Sequence, residues 1–129
     1  MGAWGVGSFE NDGALDWLAD LQDEGLAAVR RALSAVVDAA EQPDAPDSCN
    51  ALAAAEVVAT LAGKPCADLP AEVQDWCKGK GPPAAELRAQ AQAAVDAVLA
   101  DSELKELFAE TDNFGEWTAA VADLRSRLA

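Results

Sequence analysis

Carboxylates are the groups of this sequence whose number and spacing could do chemistry. The chain has 23 Asp and Glu residues and no histidine, so acid–base or metal chemistry would depend on carboxyl groups. Glu103, Glu106 and Glu110 have i, i+3, i+7 spacing, which places them on one face of a helix. With acids from other helices they could hold a divalent metal ion. A solvated helix face, which includes Lys105, explains the same pattern without a ligand.

Asp12 and Asp16 lie one helical turn apart near the N-terminus. Asn11 or Asp12 can cap the helix that begins there, and negative charge is favourable at a helix N-terminus. These ordinary roles explain both aspartates. The alternative is a ligand or metal pocket in which both of them meet Glu56.

Glu56 is the one carboxylate of the apolar segment formed by residues 51–63, ALAAAEVVATLAG. Apolar residues surround it on every side of a helix, and a helix that is apolar all round is normally buried. We therefore expect Glu56 to enter the core, where a carboxylate needs a charged partner or hydrogen-bond donors.

The N-terminal segment is the richest source of donors for Glu56. It offers the Asn11 amide, the indole N–H groups of Trp4 and Trp17, and the backbone N–H groups of a glycine-rich stretch. We expect Glu56 to tie this segment to the helices, which is a structural role. If the segment instead forms a pocket, the candidate binding residues are Trp4, Asn11, Asp12, Asp16 and Glu56.

Residues 1–17, MGAWGVGSFENDGALDW, combine glycines with large aromatic side chains. Free chain ends are usually polar and disordered, so this composition indicates a segment folded back onto the domain, with Trp4 and Phe9 buried. GAWGVG follows no strand, and Trp4 would obstruct a pyrophosphate, so the glycine spacing does not indicate dinucleotide binding. No nucleophile elbow or phosphate-binding loop is present, and we assign no catalytic residue.

Size and charge limit the possible partners. The chain fits one helical domain, residues 1–129, and nine basic residues against 23 acidic ones give a net charge of −14. Binding to nucleic acid or to anionic membranes depends on clustered Lys and Arg, so we expect neither. A basic protein or peptide is the partner that this charge would attract.

We expect a cytoplasmic protein without a cofactor. The sequence has no apolar run near eighteen residues and no signal-peptide pattern. Cys49, Cys66 and Cys77 include no Cys-x-x-Cys pair and supply no recognisable zinc site. Reduced and mostly buried cysteines are the simplest interpretation, because free Cys behaves as a small apolar residue.

Helical periodicity dominates the chain, and we expect an all-α fold, a compact single-domain bundle of six to seven helices. No segment alternates β-branched residues with period two. Apolar spacing and turn signals predict helices from residue 14 to a break at Gly25, then over 26–40, 49–62, 70–78, 84–100, from a cap at 101 or 102 through 108, and from 113 onward.

Particular side chains follow from these helices. Residues 42–48 are predicted to be a loop because they hold two prolines, and Asp47 or Ser48 should cap the next helix. Asn113 and Glu116 have the spacing of a capping box. The apolar side chains placed on inner faces include Leu15, Leu26, Val37 and Ala40.

The opening GAWGVGSFENDGALDW resembles the signature of a small bacterial family catalogued as domain of unknown function 4259. The similarity continues through residues 51–63, the region of Trp76, residues 101–110 and residues 116–128. Family members often carry tryptophan where this chain has Phe108. The family brings no established activity, so the resemblance implies a stand-alone bacterial domain and carries over no catalytic residue.

We therefore expect a non-enzymatic protein-binding module directed at a basic protein or peptide. An alternative is an inhibitor of the immunity or antitoxin type, whose partner is a basic nuclease toxin. A carboxylate-metal-dependent hydrolase is the third hypothesis. A toxin encoded beside the gene would favour the second hypothesis, and stabilisation by divalent ions would favour the third.

Overall fold

The computed structural model describes residues 7–67 and 69–129 and confirms the all-α fold. This part of the chain forms seven helices and no strand. They are α1 (Asp12–Glu24), α2 (Leu26–Val37), α3 (Ala45–Leu61), α4 (Ala71–Cys77), α5 (Ala85–Ala100), α6 (Glu103–Ala109) and α7 (Phe114–Arg127).

The helix α3 lies at the centre of the fold and contacts each of the other six helices. Every side chain from residue 51 to residue 59 is buried, which agrees with the apolar character of this stretch on all sides. Alanines predominate in it, and small side chains let neighbouring helices approach closely. The one carboxylate of the stretch, Glu56, is consequently held inside the fold.

The break between α1 and α2 lies at Gly25, as predicted. Gly25 has φ +61°, in the left-handed region that favours glycine. Its N–H donates to the Leu21 carbonyl oxygen at 2.9 Å and closes α1. The chain can therefore leave α1 and begin α2 within one residue, and the two helices contact each other.

Four apolar side chains that were expected on inner faces are exposed. Leu15, Leu26 and Val37 have 39%, 42% and 39% exposure, and Ala40 lies in the exposed chain after α2. Leu15 lies beside the buried stripe of α1 rather than within it. Leu26 and Val37 are the first and last residues of α2, outside its buried residues, which run from Ala28 to Val36.

Two helix boundaries also differ from the sequence prediction. The helix α3 begins at Ala45 because Asp44 caps it, accepting the Asp47 N–H at 2.8 Å, and Pro46 fits in the first turn, where its missing N–H costs little. Pro46 therefore lies in the first turn of a helix, whereas Pro43 stays in the loop before it. The helix α2 ends at Val37 rather than at residue 40, because exposed alanines add no packing to support a longer helix.

The remaining helices agree closely with the prediction, apart from one cap. Ser102 caps α6, and its Oγ accepts the Lys105 N–H at 3.0 Å. The prediction of a capping box at Asn113 is wrong. Asn113 has φ −94° and ψ 7°, and its side chain accepts no hydrogen bond from α7. Thr111 Oγ1 instead accepts the Asn113 N–H, which fixes the turn before α7 without a side-chain cap.

The described part of the N-terminal segment packs against the helices. Phe9 is buried, with 7% exposure, as predicted, whereas Trp4 lies outside the described residues. The three cysteines are half-buried, less than expected, and no disulfide joins them. Within residues 7–67 and 69–129, no helix has both the length and the apolar character needed to cross a bilayer.

Candidate functional site

A buried ion pair between Glu56 of α3 and Arg127 of α7 is the centre of the candidate site. Arg127 Nη1 donates to Glu56 Oε2 at 2.8 Å, and Nη2 donates to Oε1 at 2.9 Å. The two side chains are 4% and 15% exposed. This bidentate geometry is the strong form of a carboxylate–guanidinium pair, and it supplies the charged partner that a buried carboxylate needs.

Arg127 is held by two further groups. Its Nε donates to Asp123 Oδ2 at 2.8 Å, one turn earlier on α7, and Nη1 also donates to the Lys64 carbonyl oxygen at 3.2 Å. The hydrogen bonds to Glu56 are the main cause that raises the pKa of Arg127, and burial opposes them. The guanidinium therefore stays charged, and it joins the C-terminal helix to the chain that follows α3.

The N-terminal segment reaches Glu56 through Ser8. The Ser8 hydroxyl donates to Glu56 Oε1 at 3.2 Å, and the Gly7 N–H donates to Glu10 Oε1 at 3.2 Å. Glu56 is buried as expected and bonds to the N-terminal segment as expected. Its described partners are Ser8 and Arg127, so Asn11 and Trp17 are not the donors that were expected. Trp4 and the glycines before Gly7 lie outside the described residues.

Asn11 has a different role. Its Oδ1 accepts the Ala14 N–H at 2.8 Å and caps α1, and its amide donates to the Ser8 carbonyl oxygen at 3.4 Å. Trp17 is buried in the core with 4% exposure. Both residues thus fix the position of α1 and of the segment that precedes it. Trp4, the remaining candidate on this segment, lies outside the described residues.

A cavity of about 210 Å³ opens beside the ion pair, and we call it the Glu56 cavity. Its walls come from the N-terminal segment, from the chain between α3 and α4, and from α7. The lining residues are Gly7, Ser8, Phe9, Glu10, Glu56, Cys66, Ala67, Pro70, Ala120, Asp123 and Arg127. Asp12 and Asp16 do not line this cavity, so the structure does not form the predicted pocket of these two aspartates with Glu56.

Asp12 and Asp16 lie instead on the exposed face of α1, together with Asp20 and Asp23. At 3.6 residues per turn these four positions fall within an arc of about 80° around the helix axis. We call them the acidic face of α1. Asp12 also borders a separate cleft beside Pro46.

Glu103 and Glu106 of α6 are exposed, in agreement with a solvated face, and so is Glu110, which follows the helix. Glu103 Oε1 accepts the Ala45 N–H at 2.8 Å and so helps to hold the start of α3. Across residues 7–67 and 69–129, no three His, Cys, Asp or Glu side chains form a group that could hold a metal ion. The hydrolase hypothesis thus has no donor set in this part of the chain.

Sequence reasoning missed Ser8, Asp123 and Arg127 as partners of the site. The need of Glu56 for a cation could be deduced from its burial, and nine basic residues were available. Arg127 stands beside the apolar stripe formed by Leu124 and Leu128, which was the one available signal. Asp123, four residues before Arg127, could be expected to pair with it.

Comparison with known proteins gives a family and nothing closer. No curated protein and no solved structure matches the chain. A family model described as a domain of unknown function, DUF4259, matches residues 2–120. The match includes the acidic face of α1 and Glu56, and it ends before Asp123 and Arg127. Because it spans most of the 129 residues, the chain belongs to the DUF4259 family.

Proposed function

We propose that this protein is a non-enzymatic binding module of the cytoplasm whose acidic face on α1 receives a basic protein or peptide. The observation that carries the proposal is the set of four exposed aspartates, Asp12, Asp16, Asp20 and Asp23, on one side of one helix. The net charge of −14 would also attract a basic partner.

The charges of this face are uncompensated within the described chain. Asp12, Asp16 and Asp23 make no ion pair or hydrogen bond there through their side chains. The hydrogen bond that Arg31 donates to the Glu24 carboxylate is the main cause that raises the pKa of Arg31, and Asp20 adds a smaller electrostatic contribution. Several other basic residues are paired elsewhere, as Arg30 is with Glu86. The face thus presents a nearly unopposed row of negative charge to solvent.

This arrangement lowers the stability of α1. Like charges at i, i+4 destabilise a helix by about 0.2–0.5 kcal/mol per pair, and Asp12, Asp16 and Asp20 form two such pairs. Asp23 and Glu24 lie in the last turn, where the helix dipole disfavours negative charge, and that turn holds no basic residue. An unfavourable row of this kind is understandable if a basic partner neutralises it.

A basic partner would gain both speed and affinity from the acidic face. Clustered surface charge steers an oppositely charged protein toward its binding position and raises the association rate. Leu15 is exposed on the same helix and can add an apolar contact beside the charges. We therefore expect salt-sensitive binding to a segment that combines Lys or Arg with apolar side chains.

The experiment compares three forms of the chain as bait in a native lysate of the source cells at low salt. They are the wild type, a variant of the acidic face (Asp12→Asn, Asp16→Asn, Asp20→Asn, Asp23→Asn), and a control with four exposed carboxylates replaced elsewhere (Glu106→Gln, Glu110→Gln, Asp112→Asn, Glu116→Gln). Both variants remove four negative charges, so only the location of the lost charge differs.

We expect the wild type and the control to retain the same basic protein, and the acidic-face variant to lose it. Equal retention by both variants would show that net charge alone attracts the protein, and would contradict the proposal. Failure of the wild type to retain any basic protein would also contradict the proposal. Should the retained protein be a nuclease, the module would act as an inhibitor of the immunity or antitoxin type.

A further inference from the structure

The Glu56 cavity is separate from the acidic face of α1, since the two share no residue. Its volume of about 210 Å³ is below the roughly 300–1,000 Å³ of clefts that hold drug-sized ligands. A group of the size of one long side chain fits this space better than a cofactor or a nucleotide. Phe9, Ala67, Pro70 and Ala120 provide apolar wall.

Negative charge predominates among the described residues that line the cavity. Glu10, Glu56 and Asp123 contribute three carboxylates, against one guanidinium from Arg127. Glu56 is satisfied by Arg127 and Ser8. Glu10 and Asp123 each use one carboxylate oxygen in a described hydrogen bond, so each has a second oxygen available to a ligand.

These groups select among the possible ligands by charge and shape. An anion is disfavoured, because the one guanidinium is already bound to Glu56, Asp123 and the Lys64 carbonyl oxygen. A bare metal ion is disfavoured too, because the described carboxylates do not form a group of three that could hold it. An organic cation with an apolar stem satisfies both the walls and the two available oxygens.

We infer that the Glu56 cavity binds an alkylguanidinium or alkylammonium group, and that a lysine or arginine side chain of the basic partner supplies it. Glu10 and Asp123 accept hydrogen bonds from the cationic head, while the stem lies against Phe9 and Ala120. The inference rests on the proposed function only for the source of the cation. Its chemistry follows from the cavity alone.

The test titrates the full chain with n-butylguanidinium and n-butylammonium, and with n-butanol as the uncharged control, while backbone amide signals are followed by NMR. We expect saturable shifts at Gly7, Ser8 and Ala67 with the two cations and none with butanol. The variant Glu10→Gln/Asp123→Asn should weaken binding at least tenfold, since each lost charged acceptor is worth about a factor of ten or more. The matched control Glu106→Gln/Asp112→Asn lies outside the cavity and should bind as the wild type does.

A second variant reduces the volume of the Glu56 cavity and leaves its charge unchanged. Ala120→Leu fills the cavity from α7, and it should abolish the shifts even if the double variant proves unstable. Butanol shifts equal to those of the cations, or undiminished cation binding in Ala120→Leu, would overturn the inference.

Two further results separate the inference from the proposed function. The acidic-face variant of α1 should keep its affinity for butylguanidinium while it loses the basic partner, because the cavity is intact. The Ala120→Leu variant should lose both the cation and part of its affinity for the partner. If it retains the partner at full strength, the assigned source of the cation is wrong, whereas the proposed function stands.

Discussion

Glu56 and Arg127 are separated by 71 residues in the sequence and by 2.8 Å in the structure. The burial of Glu56 could be predicted, because alanines and valines surround it on α3 and leave no polar side. The identity of its partner could not, since any of nine cations can satisfy a carboxylate. Helix packing selects among them, and a local sequence pattern does not contain that information.

We expect Glu56→Ala to lower the free energy of unfolding by about 3 kcal/mol, because removal of one member of a buried pair leaves the other charge uncompensated. Arg127→Ala should have a similar effect, and the double variant should lose less than the sum of the two. Urea unfolding measures all three. Glu106→Ala is the exposed control and should stay within about 0.5 kcal/mol of the wild type. Additive losses in the double variant would show that the two residues do not act as a pair.

Cys49 gives a second prediction at this scale. Burial raises the pKa of its thiol to about 11, so the reactive thiolate is scarce at neutral pH. Alkylation by iodoacetamide should therefore be slow near pH 7 and accelerate as the pH rises through the range up to about 11, provided that the chain stays folded. Peptide mass spectrometry gives the rate for each cysteine, and urea-unfolded chain is the reference in which the burial effect disappears. A plateau below pH 9 in the folded chain would contradict the prediction.

At the scale of elements, α1 combines good capping with unfavourable charge. Asn11 caps its start, and the capping residue could be predicted because Asn and Asp stand at that point of the sequence. The start of α3 was harder to predict, since Asp44, Asp47 and Ser48 are all competent caps. The packing of α3 from Ala51 onward is compatible with each of these three residues as the cap. The geometry of the turn before α3 selects Asp44 as the cap.

The charge of α1 predicts opposite effects at its two ends. Asp20→Asn/Asp23→Asn should raise the free energy of unfolding by about 0.5–1 kcal/mol, because both aspartates oppose the helix dipole or each other. Asp12→Asn should lower it slightly, because negative charge is favourable in the first turn. Thermal unfolding at low salt measures both. Changes of the same sign at the two ends would mean that the dipole argument does not apply to this helix.

Gly25 tests the junction of α1 and α2. Gly25→Ala should destabilise the fold by about 1 kcal/mol or more, because φ +61° is strained for any residue with a Cβ atom. Gly115→Ala is the opposite case. Gly115 lies in α7, and an added Cβ would meet no neighbouring group within 4 Å. The substitution should stabilise the fold by about 0.5–1 kcal/mol, because alanine has the higher helix propensity. Urea unfolding of both variants checks the contrast, and a neutral Gly25→Ala would exclude strain at the junction.

At the scale of the molecule, apolar periodicity was sufficient to predict an all-α fold of six to seven helices, and the described chain forms seven helices and no strand. It also identified α3 as the helix with no polar side. What it could not predict is how helix faces meet across the fold, and the Glu56 cavity depends on that. The Glu56 cavity needs three separate segments to converge. The acidic face of α1 needs only the spacing of four aspartates, and this part could have been identified from the sequence.

The central claim is that the acidic face of α1, and not the overall charge, binds a basic partner. The most direct measurement is the dissociation constant of the retained partner at about 50 and 300 mM salt, for the wild type, the acidic-face variant and the control with four charges removed elsewhere. We predict that the acidic-face variant binds at least tenfold more weakly at low salt and depends less on salt than the wild type. The control should keep nearly full affinity and the wild-type salt dependence. Equal affinities and equal salt dependence of the two variants would contradict the account.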